Sequence, residues 1–220
     1  MKVINLSDHP SLLNQYLKEM RSIDTQKDSM RFRRNIERIG EMMAVEISRT
    51  FSYKEEEVQT PLAVAKVEVP EDKVVLGTLL RAGLPMHQGF LNMMDQAENA
   101  FISAYRQETI GKKGQVQIEI VSEYLAAPSI EGKTLILVDP MLATGLSMEV
   151  AYKALLSHGT PKHVHLACLF GTPQAIEHLS KTMPQETTLW CAVIDPVLNE
   201  KKYIVPGIGD AGDLCFGEKL

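Results

Sequence analysis

Apolar positions change their rhythm near residue 70, and the change divides the chain. Before it they recur at helical spacing. Residues 11–21 form a short amphipathic piece. In the next segment Phe32, Ile36, Ile39, Met43 and Ile47 fall at intervals of four, three, four and four, which places them on one stripe of a helix. The other face carries Arg31, Arg34, Arg38 and Glu41, a solvated or subunit-packing surface. The first 60 residues are therefore expected to form a helical arm.

From residue 72 onward the apolar runs have strand length: "VVLGTLL" (74–80), "AFISAY" (100–105), "LILV" (135–138), "VHLACLF" (164–170) and "LWCAVI" (189–194). Helix-length segments, 84–96, 147–158 and 173–181, lie between most of them. A strand that is apolar on both faces must be covered on both. The alternation therefore predicts an α/β fold, a doubly wound, mostly parallel sheet with helices on both faces. The piece "VQIEIVSEYLA" (116–126) instead alternates Val116, Ile118 and Ile120 with polar residues, which predicts a half-exposed strand in a hairpin. The polar loop 106–115 before it, with Gly111 and Gly114, is expected to be mobile. The whole chain, 1–220, reads as one domain: the arm (1–60), an α/β core (61–194) and a C-terminal segment (195–220).

Composition narrows the function classes. The 220 residues are 45% apolar, enough for a substantial core, and 23% charged, which disfavours disorder. Net charge is −5 without a lysine/arginine tract, so no nucleic-acid or membrane surface is expected, although a phosphate site needs only a few local cations. Cys168, Cys191 and Cys215 form no metal-type pair, and their odd number builds no disulfide framework. They point to a reducing compartment, the cytoplasm. The opening "MKVINLSDHP" lacks the apolar stretch of a signal peptide, and no run approaches 18 apolar residues.

Chemistry concentrates in "TLILVDPMLATGLSMEVAYKALLSHG" (134–159): a buried strand, a loop opening on Asp139, then a helix. Ligands of doubly wound sheets bind at the carboxyl ends of strands. The free N–H groups of a helix start suit a phosphate. Thr144 and Ser147 add hydroxyls, Gly145 permits close backbone approach, and Asp139 can accept bonds from two sugar hydroxyls. A plain strand–helix turn with Ser147 as cap fits the same spacing. At the other end, Gly207 to Gly212 fits G-x-G-x-x-G. A dinucleotide loop would need a further strand and an acid about 20 residues on, and only eight residues follow Gly212. On its own, the stretch reads as a capping turn or as a rigid binding loop.

"LILVDPMLATGLS" resembles the phosphoribosyl-pyrophosphate (PRPP) motif of type I phosphoribosyltransferases, in the form seen in uracil phosphoribosyltransferases. "LLRAGLPMHQG" (79–89) and "YIVPGIGDAGDLCFG" (203–217) agree with that family, as do "FRRNIERIGEMMAVEISR" and "VQTPL" more loosely. The resemblance implies a glycosyltransferase (pentosyltransferase) of pyrimidine salvage that converts uracil and PRPP to UMP and pyrophosphate through an oxocarbenium-like state.

It also implies roles. PRPP would lie across Asp139, Pro140, Met141, Leu142, Ala143, Thr144, Gly145, Leu146 and Ser147, with Asp139 on the ribose hydroxyls and Ala143 to Ser147 on the 5-phosphate. Arg81 and Arg106 would meet the pyrophosphate. Ile204, Gly209, Asp210 and Ala211 would read uracil with backbone groups, in a small hood built partly by the C-terminal segment. Arg81, Arg106, Asp139 and Asp210 form the implied catalytic set, with Mg²⁺ bound through PRPP near Asp210. The family forms dimers or larger homo-oligomers, and GTP is an implied activator.

Leu146 stands where the family's loop is usually small. It costs of order 1–2 kcal/mol if the backbone there has φ > 0 and is harmless otherwise. The alternative reading is a PRPP-sensing regulator of pyrimidine operons that binds RNA on the same fold. Such regulators carry paired aspartates where this chain has Asp139-Pro140, and the acidic charge also counts against it. His163 and His165 alternate on one strand, and His87 follows the arginine turn. All three read as structural, and Met93 and Met94 as core filler.

Overall fold

The computed structural model describes residues 1–110 and 116–219, and of residues 104–110 and 116–123 the backbone alone. The predicted loop 106–115 lies partly outside this set, and its residues 106–110 are strand.

The chain opens with a short strand, β1 (Lys2–Asn5), followed by helices α1 (Leu12–Arg21) and α2 (Ser29–Ser48). Ser11 starts α1 with a reciprocal cap: its hydroxyl accepts from the Leu13 N–H at 3.2 Å, and Asn14 accepts from the Ser11 N–H at 2.9 Å. Asp28 caps α2 through the Arg31 N–H at 3.0 Å. The stripe Phe32, Ile36, Ile39, Met43 and Ile47 is buried to within 1% exposure. Each such side chain contributes up to about 1.5–3 kcal/mol.

One expectation about the arm needs correction. Residues 1–60 are not wholly helical, because β1 precedes the helices and β2 (Tyr53–Gln59) follows them, pairing antiparallel with β3 (Val64–Pro70). Both strands of this hairpin are largely exposed, so their residues carry no one-sided apolar pattern to read.

The core then runs β4 (Val74–Leu80), α3 (Gly83–Met93), β5 (Glu98–Ile110), β6 (Val116–Ala126), β7 (Thr134–Val138), β8 (Met141–Leu142), α4 (Leu146–Leu155), β9 (His163–Gly171), α5 (Pro173–Thr182) and β10 (Thr188–Ile194). The main sheet has the order β1-β10-β9-β7-β4-β5-β6, with β8 beside β9. Its pairs are parallel except β5 with β6, the predicted hairpin.

The period of two splits each strand between two cores. Leu76, Ile136, Val138, Ala167, Leu169 and Trp190 face α1, α2 and α3. Val75, Leu135, Leu137, Leu166, Cys168 and Leu189 face α4 and α5. After β4 the chain winds outward to β5, and after β7 it winds the other way to β9 and β10. The winding reverses between β4 and β7, where a doubly wound sheet opens a crevice. Helices α2 and α3 cross closely at Gly89, where a Cβ would lie 2.1 Å from the Glu37 carbonyl oxygen. Beyond the sheet, β11 (Val197–Leu198) and β12 (Ile204–Val205) pair antiparallel, and α6 (Ala211–Phe216) follows.

Candidate functional site

Two strands deliver side chains into the crevice. β4 ends at Leu80, so Arg81 emerges at its carboxyl end; β7 ends at Val138, so Asp139 does the same one strand over. The hairpin β11–β12 and the start of α6 stand over them as a hood. Between sheet and hood lies a cavity of about 520 Å³, within the range of small-molecule sites. Arg81, Asp139, Met141, Ala143, Ser147, Ile204, Gly209, Asp210 and Ala211 all line it.

The remaining loop residues shape it from behind. Pro140 and Leu142 are buried, and the Pro140 carbonyl accepts from the Leu169 and Phe170 N–H groups at 3.1 and 3.0 Å, fastening the loop to β9. Thr144 is half-buried. Gly145 is the N-cap of α4 at φ 81° with no side-chain cap, so Ser147 is not the cap that a plain turn would need. A Cβ on Gly145 would meet Leu179, Ala175 and His178 of α5 at 3.0–3.3 Å. α5 is held there by Glu149, whose carboxylate binds Lys153 at 2.5 Å and His178 at 2.6 Å. Leu146 is the first residue of α4; among the described residues Lys202 is the non-glycine residue at positive φ, so the leucine carries no backbone strain. Arg106 sits on β5 opposite Ile120, and its side chain lies outside the described residues.

Asp139 is half-buried against the end of the sheet. Loss of hydration pushes its carboxyl up to about 6, only partly opposed by the Met141 N–H it accepts at 3.2 Å. Its other oxygen is available to a ligand. Asp210 caps α6 by accepting the Asp213 N–H at 2.9 Å. Among the described residues the N–H groups of Gly209 and Ala211 find no protein acceptor. Arg81 donates to Asp213 at 3.0 Å and to the Gly217 carbonyl at 3.3 Å.

Several residues at the site carried no sequence signal. Lys201, Lys202 and Tyr203, in the turn between β11 and β12, and Lys219 also line the cavity; "NEKKY" reads only as a solvated charge run. Arg21 and Asp195 brace the hood from below, 174 positions apart.

Two of the histidines read as structural, His165 and His87, lie inside the fold, and His163 is exposed. His165 is buried and its Nδ1 accepts from Trp190 Nε1 at 3.2 Å. His87 is buried within α3 beside Asn99. Among the described residues no three His, Cys, Asp or Glu side chains gather as a metal cage. Asp139 and Asp210 line the same cavity, and carboxylates of this kind suit a hard cation that is carried mainly by phosphates and keeps several waters. The three cysteines are unbridged and buried. No described helix is long and apolar enough to cross a membrane.

The chain is similar to known proteins. The family model described as uracil phosphoribosyltransferase matches residues 6–218. A uracil phosphoribosyltransferase of Porphyromonas gingivalis is 54% identical over 220 residues, all of both chains. One from Pyrococcus furiosus is 34% identical, covering 99% of this chain and 91% of the relative. Among solved structures, the AQ2163 protein of Aquifex aeolicus superposes with a TM-score of 0.82 at 28% identity, covering 98% of each chain.

Proposed function

The chain belongs to the uracil phosphoribosyltransferase family and converts uracil and PRPP to UMP and pyrophosphate; we propose that it does so in the cavity between sheet and hood. One observation supports this placement most. Asp139, from mid-chain, and Gly209 to Ala211, near the end, line the same 520 Å³ space. A sugar phosphate and a flat base therefore have adjoining walls.

In this reading Asp139 accepts the ribose hydroxyls. The 5-phosphate lies over Ala143 to Ser147 at the start of α4, where free N–H groups and the Ser147 hydroxyl face it. Arg81, with Arg106 from β5, meets the pyrophosphate and stabilises the charge that collects on it as the C1–O bond lengthens. Asp210 would hold Mg²⁺ bound through PRPP, and the ion would supply further neutralisation of that charge.

No side chain need attack. The site holds uracil N1 in line with C1 and excludes water, so that the oxocarbenium-like ribose meets the base and not a hydroxide. In this reading the N–H groups of Gly209 and Ala211 bind the uracil carbonyls, and a backbone carbonyl at Ile204 or Gly209 accepts N3–H. Cytosine reverses part of that pattern and leaves buried groups unpaired.

The proposal extends to a homo-oligomer, which the uncovered hairpin β2–β3 supports with exposed Tyr53, Val58, Leu62, Val64 and Val67. It extends also to the cytoplasm, on the unbridged cysteines. GTP activation rests on the family resemblance alone. The RNA-binding regulator gains no support from the relatives, which carry the enzyme's name.

The test is chromatographic detection of UMP from PRPP with uracil, cytosine, hypoxanthine and orotate offered separately. Product is expected from uracil. Preferential use of orotate or hypoxanthine would overturn the assignment.

A further inference from the structure

Arg81 leaves the sheet and makes its contacts with the C-terminal segment. Nη2 donates to Asp213 Oδ1 at 3.0 Å and Nη1 to the Gly217 carbonyl at 3.3 Å. The guanidinium lies beside Gly212, where a Cβ would come within 3.4 Å of Nη2. Nε is buried and has no partner among the described residues. A guanidinium has five N–H donors, so this one is incompletely satisfied on the side where Nε points. Asp213 and Gly217 belong to the short stretch whose first residues, Asp210, Ala211 and Gly212, line the cavity.

The contact is weak by construction. Arg81 and Asp213 side chains are each 34% exposed, and the pair has a single short approach. Such pairs contribute about 0.2–1 kcal/mol. A pyrophosphate group offers a guanidinium two parallel charge-assisted bonds to phosphoryl oxygens, where the carboxylate here takes one. An incoming pyrophosphate group therefore takes the guanidinium from the carboxylate. When it does, α6 loses one of its ties to the core and keeps its Arg33 contact to the Cys215 carbonyl.

We propose that Asp213 is the resting counter-ligand of Arg81, a positioning residue whose exchange for pyrophosphate couples the pyrophosphate subsite to the base-binding segment. The proposal rests on the reading of Arg81 given above. Two consequences follow. Asp213 competes with pyrophosphate for one cation, so its charge speeds the product's departure. The two subsites also influence each other by the same factor in both directions, as linkage requires.

The full chain is titrated calorimetrically with magnesium pyrophosphate, with and without saturating uracil, as wild type, Asp213→Asn, Asp213→Glu and Arg81→Ala. Removing the competing charge is expected to tighten pyrophosphate binding about 1.4- to fivefold, the range that 0.2–1 kcal/mol sets. Pyrophosphate inhibition of turnover should strengthen by the same factor, while Asp213→Glu stays near wild type. Wild-type pyrophosphate affinity should change with uracil present, and in Asp213→Asn that dependence should vanish. Each variant's melting temperature checks its fold, and a merely structural Asp213 would shift melting without tightening pyrophosphate. Unchanged or weakened pyrophosphate binding in Asp213→Asn overturns the counter-ligand, and uracil dependence persisting there overturns the coupling. Unchanged binding in Arg81→Ala would instead sink the reading of Arg81 itself.

Discussion

Asp195 grips Arg21 with both oxygens, Oδ1 to Nη2 at 2.7 Å and Oδ2 to Nη1 at 3.0 Å, and the same Oδ2 accepts the Gly207 N–H at 3.0 Å. Arg21 returns a bond to the Gly207 carbonyl at 3.1 Å and stacks 4.8 Å from the centre of the Phe170 ring. One helix of the arm thus sets the backbone of the loop that leads to Gly209. Asp195 is 4% exposed, so its carboxylate depends on these partners.

Arg21→Ala leaves that carboxylate buried without its counter-charge, with the Gly207 N–H still bonded to it, a loss of about 3 kcal/mol. For a domain of this size that lowers the melting temperature by roughly 6–12 °C. The loop, not the sheet, should be misplaced, so KM for uracil should rise several-fold more than KM for PRPP. Steady-state kinetics with each substrate varied in turn will show it, and equal changes in both would deny the loop a special share.

Asp139 gives a pH signature of opposite sign to an ordinary carboxylate. Its folded value, about 6, lies above the model-peptide 3.8. Its contribution to stability is full below about 3.8 and is lost as pH rises through about 6, because the folded protein then buries a charge. Asp139→Asn should therefore melt higher than wild type at pH 7.5 and equal to it near pH 4. It should also bind PRPP at least tenfold more weakly. Scanning calorimetry and titration with PRPP test the two halves independently.

His165 behaves in the other sense. Burial, aided by the neighbouring His163, holds it down to about 4, from 6.5. Its stabilising contribution is present above pH 6.5 and is lost as pH falls through about 4. The Trp190 N–H needs an unprotonated Nδ1, which puts the ring proton on Nε2. NMR should find His165 neutral at pH 5.5; a titration midpoint above 6 would contradict the geometry.

Two neighbours in the phosphate loop should respond very differently to substitution. Gly145→Ala places a Cβ at positive φ within 3.3 Å of α5. The backbone strain alone is of order 1–2 kcal/mol, so PRPP affinity should fall about tenfold or more. Leu146→Gly alters an exposed helical position and should leave activity within about tenfold. A loss beyond a hundredfold in the latter would show the leucine to be integral.

What could be read from the chain depended on how local each signal was. The strands at 74–80 and 135–138 announced themselves because both faces are buried, which leaves no polar position to break the run. "DPMLATGLS" was legible because one loop carries its whole pattern. The stretch 53–70 was not: its hairpin is solvated on both faces, so "YKEEEVQ" has no apolar side to mark a period. Nor could spacing reveal Arg21 with Asp195, or Arg81 with Asp213, since those partners meet only after the sheet has formed. The Leu146 question was posed by the sequence and answered by φ at its neighbour.

β1 leaves the ribosome long before the strand it needs. Lys2 pairs with Thr188 and Asn5 with Cys191, so β1 waits while the residues between them are translated, roughly 10–40 s at cellular elongation speeds. During that interval its backbone donors stay open to any extended neighbour, and this margin of the sheet closes only once β10 has emerged.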